Sequence, residues 1–453
     1  MPPRGTNHRS FPQGFVHVAL LCALTAGFGS ASYMASHLGF GLPLAPIWPA
    51  IVQVHGNTQL AGWIGLFIMG VSLHVVPRLS GVPLRVPGLA TVIWMAMAAS
   101  LVWRAIAQPL LMVGIGGPFV AVALMMSGLA QMLAVTAYVG LLIASLRASR
   151  IDPSTHPKIG PLRPLMLLSL VSWQLFGLTM GGATVLAGLR GVGLLEPGLH
   201  LLAADLFIAG VLVPVAFTFS LRLFPLYLQI EPARWNPMPF AYFYALATML
   251  EFGARMAGHV TDTADPFVTI GAIGLALRSG AILVFIVALG LHRRRIPLGD
   301  WKPELHGAPR FGNYRPLLFG AYALLTIGAL LQAVSAVTCL TGAESWLQPA
   351  GVRHAFVAGF GTMLILGVAP RMVAGLFGAR GPALPALVGY TAWLSIPSSL
   401  MVTLYLSVPA DSLIGVAALP LRGPLFGIAG PMMWLSLALL AANLWVTAFR
   451  SLE

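Results

Sequence analysis

Charge is what this sequence has least of: 8% of its 453 residues are Asp, Glu, Lys or Arg, against 58% hydrophobic ones. A water-soluble domain carries about a quarter charged residues, because its surface must be hydrated. The shortage excludes a soluble globule, since the chain could not cover its apolar surface in water. Cysteine is nearly as scarce. Cys22 and Cys339 are the only two, which excludes a disulfide framework. No CxxCH run occurs, so covalent haem attachment is excluded as well. Both cysteines lie in apolar stretches and read as small hydrophobes. A compact basic module with interleaved aromatics is also missing. The net charge is +13, but the basic residues stand singly except for Arg293, Arg294 and Arg295, which argues against a nucleic-acid partner. Finally there is no long polar linker. The longest polar connection runs from Arg293 to Arg315, so residues 1–453 read as one integral membrane domain.

What is present is apolar sequence in long runs, with a mean hydropathy of +0.87. The runs predict an all-α polytopic membrane protein with about twelve transmembrane helices. The expected spans are 15–36, 54–76, 87–108, 118–147, 162–189, 199–227, 237–258, 266–290, 314–340, 352–376, 383–406 and 426–449. Arg4 and Arg9 precede the first run without a small-residue cleavage site, so that run is expected to be retained as a helix.

Basic residues set the expected orientation. With the N-terminus and every second loop assigned to one side, that side collects all but six of the 25 Lys and Arg residues. The six are Arg104, Arg190, Arg255, Arg278, Arg353 and Arg422. Cytoplasmic loops attract the positive excess, so both termini are expected in the cytoplasm, in a bacterial-type inner membrane.

Three of the spans share a pattern. The second, sixth and tenth each open at the outer end with a histidine: His55, His200 and His354. Each closes near the inner end with an Arg and a Pro: Pro77-Arg78, Arg222 with Pro225, and Pro370-Arg371. The recurrence suggests a pseudo-threefold arrangement of four-helix units. His37 and His259 also belong to the outer level, whereas His74 lies about 28 Å along the second helix from His55. Ionisable groups within a membrane usually face the bundle interior, and neutral imidazole ligates metal and haem iron. His55, His354 and His200 are therefore the candidate metal ligands.

The stretch His55-Gly56-Asn57, followed by Gly62-Trp63, Phe67-Ile68-Met69-Gly70 and Val76-Pro77-Arg78, resembles the second helix of haem–copper superfamily catalytic subunits. The likeness is to the nitric oxide reductase branch in particular. Arg353-His354, with Gly359, Gly361, Gly367 and Pro370-Arg371, is similar to the tenth-helix segment of the NnrS proteins. Those are twelve-helix haem- and copper-containing membrane proteins linked to nitric oxide response. The resemblance implies that His55 and His354 are axial ligands of one haem, of b type given the missing CxxCH. It also allows for copper, and implies a quinol or a cytochrome as electron donor and a role in nitric oxide response or respiratory electron transfer. The chain departs from these families at Asn57, where NnrS proteins carry a second histidine. It also has no paired histidines in the seventh helix and no HxxxY after His200, so the resemblance does not extend to an oxygen- or nitric-oxide-reducing centre.

The remaining interior charges are Asp205, Glu251, Arg255 and Arg278. A structural reading pairs Arg278 with Asp205 or Glu251 to fix helix register. Arg104, Arg255 and Arg353 share the outer level with the histidines and are the candidate anchors for haem propionates. The glycines of the tenth helix would let neighbours approach closely, or admit a flat macrocycle. Two other function classes fit the composition: a twelve-helix secondary transporter and a non-catalytic subunit of a cytochrome complex.

Overall fold

The computed structural model describes residues 13–80, 83–148, 160–261, 265–291, 311–343, 347–409 and 413–451. Arg4, Arg9, Arg150, Lys158, Arg293, Arg294, Arg295, Lys302 and Arg310, on which part of the orientation argument rests, lie outside the described residues. Among the described residues, eleven helices are long and apolar enough to cross a membrane. These are α1 (Gln13–Gly39), α2 (Trp48–Pro77), α3 (Leu89–Met112), α4 (Gly117–Arg147), α5 (Arg163–Leu189), α6 (Pro197–Leu228), α8 (Pro266–Leu289), α9 (Arg315–Thr341), α10 (Pro349–Leu376), α11 (Ala386–Ser407) and α12 (Leu421–Arg450). Between α6 and α8 lies a helix of similar length, α7 (Pro237–Thr261), whose apolarity is diluted by Tyr242, Tyr244, Glu251 and Arg255. The protein is an all-α, multi-pass membrane protein. The expected spans agree with these helices, although α2 begins at Trp48, ahead of the expected 54, because Pro49 is tolerated in a first turn where no N–H is needed.

The packing order explains the repeat. Consecutive helices pair along three arcs, α3–α4–α5, α7–α8–α9 and α11–α12–α1. The helices left over are α2, α6 and α10, and they stand at the centre. Their apolar windows are 67%, 78% and 83% buried, against 50% or less for every other span. An interior helix has no lipid-facing stripe, so it is apolar or satisfied all round. The three meet at Gly361 of α10. A Cβ there would come within 3.0 Å of Leu212 of α6 and 3.1 Å of Ile64 of α2, so the crossing is tight and a larger residue would make those side chains shift. Trp63 of α2 donates to Thr362 of α10 at 3.2 Å beside it.

Each central helix also widens into a π-helical segment: Thr58–Gly65, Phe207–Leu212 and Ala355–Thr362. Such segments are uncommon and concentrate at functional sites, since the extra residue per turn re-aims side chains. Pro77, Pro225 and Pro370 all sit inside their helices towards the inner ends. The three four-helix units are thus related in structure as well as in sequence marks.

Candidate functional site

His55 lies about 10 Å in from the outer start of α2, by helical rise. Its Nδ1 is 2.9 Å from the carbonyl oxygen of Gly27 in α1, and 3.4 Å from the Ser30 hydroxyl. His354 sits immediately before the π segment of α10, with Nδ1 2.7 Å from its own helix's Ala350 carbonyl. A carbonyl can only accept, so each ring is fixed as the tautomer that donates from Nδ1 and turns the Nε2 lone pair outward. The two imidazoles lie within electrostatic reach of one another. Both rings are surrounded by protein, yet both residues keep some accessible area. A histidine that ligates metal almost always has its second ring nitrogen held this way.

His200 does not join them. It is buried, its Nε2 lies 3.5 Å from where a Gly56 Cβ would stand, and its Nδ1 has no partner. Its electrostatic neighbours are Arg104, Arg353 and Asp205 rather than the other two histidines. The reason is register. His200 precedes its π segment by nearly two turns, His55 by less than one, and His354 directly abuts its own. Equal marks at the helix ends therefore do not become equal depths. Among the described residues, no three His, Cys, Asp or Glu side chains come together as ligands for one metal ion. The expected third ligand is misplaced for a shared centre.

Arg104 lies on the far side of α2 from His55. Its Nε donates to Gln108 at 2.9 Å and one Nη to Thr184 of α5 at 3.1 Å. Gln108 in turn donates to Gln53 at 2.7 Å, and Gln53 holds the Leu195 carbonyl at 2.9 Å. Gln53 and Asn57 stand one turn apart on α2, and Asn57 pairs with Gln131 of α4. His55, about 200° around the helix from Gln53, faces the other way. Arg104 is therefore part of a buried polar network inside the α3–α5 arc, and the propionate role expected for it does not match its position.

Arg353 and Arg255 are committed elsewhere too. Arg353 grips Asp205 of α6 with two bonds, at 2.6 Å and 3.1 Å, and Arg255 reaches the same carboxylate at 2.9 Å. Arg255 also lies 3.7 Å from Glu251, which takes a bond from Arg278 at 2.7 Å. The register-fixing pair expected for Arg278 is thus formed with Glu251. The tenth-helix glycines serve packing: added Cβ atoms would strike Leu324 at Gly359 and Leu318 at Gly367, both on α9. The sequence reading gave no role to Arg422. It donates to the carbonyls of Tyr405 and Val408, lies 4.8 Å over the Tyr405 ring, and keeps one buried Nη without a partner. Its one visible signal in the sequence is its place among the few cations off the basic side.

Towards the Pro77, Pro225 and Pro370 ends of the central helices, a cavity of about 500 Å³ opens between α2, α4, α5, α6 and α10. Its lining is nearly all aliphatic and aromatic. The polar exceptions include Arg222, Ser169 and a Ser72–Tyr138 hydroxyl pair 2.7 Å apart.

A solved structure of a heme-copper terminal oxidase dimer, determined by cryo-electron microscopy, is similar to this chain with a TM-score of 0.65 and 16% sequence identity. The match covers 98% of this chain and 84% of that one. No family model matches the sequence, and no curated protein does.

Proposed function

We propose that the chain binds one b-type haem between α2 and α10, with His55 and His354 as its axial ligands. The observation that carries this is the matched tautomer of the two rings: each Nδ1 is tied to a backbone carbonyl, leaving each Nε2 to bind iron. The residues present fit the group. Two neutral imidazoles suit haem iron, and Arg422, which keeps one buried guanidinium nitrogen without a partner, is the cation we assign to a propionate. Bound there, haem would supply one-electron redox chemistry. The chain's own contribution is to hold both rings in orientation and to keep bulk water from them. The function that follows is membrane electron transfer in respiration or in the response to nitric oxide, with a quinol or a cytochrome as donor. Among the described residues no three-ligand set for copper assembles, and His200 stands apart from the other two histidines.

The test is spectroscopic. Protein purified from haem-replete cells should show the sharp reduced α and β bands of a low-spin, bis-imidazole haem. His55→Ala and His354→Ala should each make the iron high-spin or abolish haem binding. His74→Ala, at the inner end of α2, should leave the spectrum unchanged. Protein without visible haem absorbance, or a spectrum indifferent to both outer substitutions, would overturn the assignment.

A further inference from the structure

In the arc α7–α9, between it and the central helices α6 and α10, five charged side chains form one continuous network. Arg353 and Arg255 share Asp205, and Arg255 and Arg278 share Glu251. That is three guanidinium groups against two carboxylates. One positive charge is left over in a region walled by five helices. Arg278 is 2% exposed, and its Nη1 has no hydrogen-bond partner. The amide oxygen of Gln332 on α9 is likewise buried and unpaired. Oxygen and nitrogen of such an amide are interchangeable in assignment, so a rotation of the Gln332 head group presents a donor instead.

All five charged residues, with Gln332 and Ser335, line a single cavity of about 140 Å³. One water needs about 10–15 Å³ of such space, so the cavity holds several waters or one small ion with its shell. An uncompensated charge within the membrane thickness is costly, and the protein supplies no third carboxylate to the cavity. We infer that this cavity is a binding site for a small monovalent inorganic anion, such as chloride or nitrate, held by Arg278 and the Gln332 amide. A planar oxyanion matches the guanidinium fork, while chloride matches it by charge alone. The inference does not rest on the haem assignment, since the site uses neither of the proposed haem ligands.

The measurement is the thermal midpoint of the purified full-length protein in detergent, at constant ionic strength. Gluconate, too large for the cavity, is exchanged stepwise for nitrate or chloride. An anion that binds the folded state alone raises the midpoint in a saturable manner, and a rise of a few degrees is expected for the wild-type protein. Gln332→Glu places a fixed carboxylate in the cavity. This variant should lose the anion response while melting in gluconate at or above the wild-type midpoint. Ser335→Asp, one turn along α9, provides the same replacement if Gln332→Glu does not fold. A wild-type midpoint indifferent to both anions would overturn the proposal, and so would a folded variant with the full wild-type response. Wild-type indifference together with haem loss in Gln332→Glu would assign the surplus charge to a haem propionate, which also overturns it.

Discussion

His55 and His354 show how a single backbone contact can define a side chain's chemistry. Without the Gly27 carbonyl, the His55 ring could carry its proton on either nitrogen; with it, Nε2 becomes the free ligand position. Arg278 shows the opposite case, a side chain whose own charge is the problem. It is buried beside Glu251, and removing either partner strands the other. Arg278→Leu should therefore destabilise the protein by roughly 3–5 kcal/mol, whereas Arg278→Leu combined with Glu251→Leu should recover most of that loss. A double-mutant cycle of thermal unfolding in detergent measures both. A loss in the double variant equal to the sum of the two single losses would show that the pair is not coupled. Arg104 is a third case, a buried cation that donates to amide and hydroxyl oxygens of Gln108 and Thr184 rather than to a carboxylate, and that keeps Nη2 without a partner.

Among the elements, α6 and α10 are the most constrained. The N-terminus of α6 is capped by Glu196, whose carboxylate accepts from the backbone N–H groups of Leu199 at 2.6 Å and Gly198 at 2.9 Å. The bond from Leu199 is the chief reason the Glu196 carboxyl titrates below the usual glutamate range; the second cap bond and nearby His259 act in the same sense, against partial burial. A carboxyl with a lowered folded-state value stabilises the fold above the ordinary glutamate range. That contribution disappears as pH falls through and below the range. Glu196→Ala should cost about 1 kcal/mol at neutral pH, and the difference from wild type should vanish in acid. Thermal midpoints taken from neutral pH down to about pH 3 test this, and a constant difference across the range would contradict it. In α10 the constraint is steric. Gly361→Leu would drive a side chain into Leu212 and Ile64, where the three central helices touch. A loss of about 1–3 kcal/mol is expected from overpacking there, with weakened haem retention because α2 and α10 are pushed apart. Retention of the wild-type midpoint and spectrum would show that the crossing tolerates separation.

For the whole molecule, the three arcs around α2, α6 and α10 create three separate interior regions, and each is filled differently. One borders the His55 and His354 rings, one holds the polar network around Arg104 and His200, and one holds the five-charge network. Orientation decides which side of the membrane these regions face. The excess of basic residues predicts that both ends of the chain are cytoplasmic, placing all three regions in the periplasmic half. A cytoplasm-active reporter joined after Glu453 should be functional, and a periplasm-active one should not; the reverse result would turn the molecule over. The large apolar cavity beside Tyr138 would then lie towards the cytoplasm.

The sequence alone determined the solvent, the helices and the repeat. Apolar runs of spanning length leave the backbone no stable choice in a bilayer but the helix, and end-marks such as His55 and Pro77 recur because α2, α6 and α10 occupy equivalent central places. It also carried the pairing of Arg278 with a carboxylate, since a charge at that depth requires one. Only the tertiary structure decided which outer residues share a space. A sequence places His55, His200 and His354 at helix ends, but it does not show the rotation and rise added by π segments starting at different distances from each. His200 ends up beside Arg104, while His55 and His354 lie within electrostatic reach of one another. For the same reason Arg104, Arg255 and Arg353 looked equivalent by depth. Depth follows from counting residues along a helix, but the direction a side chain takes depends on which neighbour's carbonyl, carboxylate or ring is there to receive it.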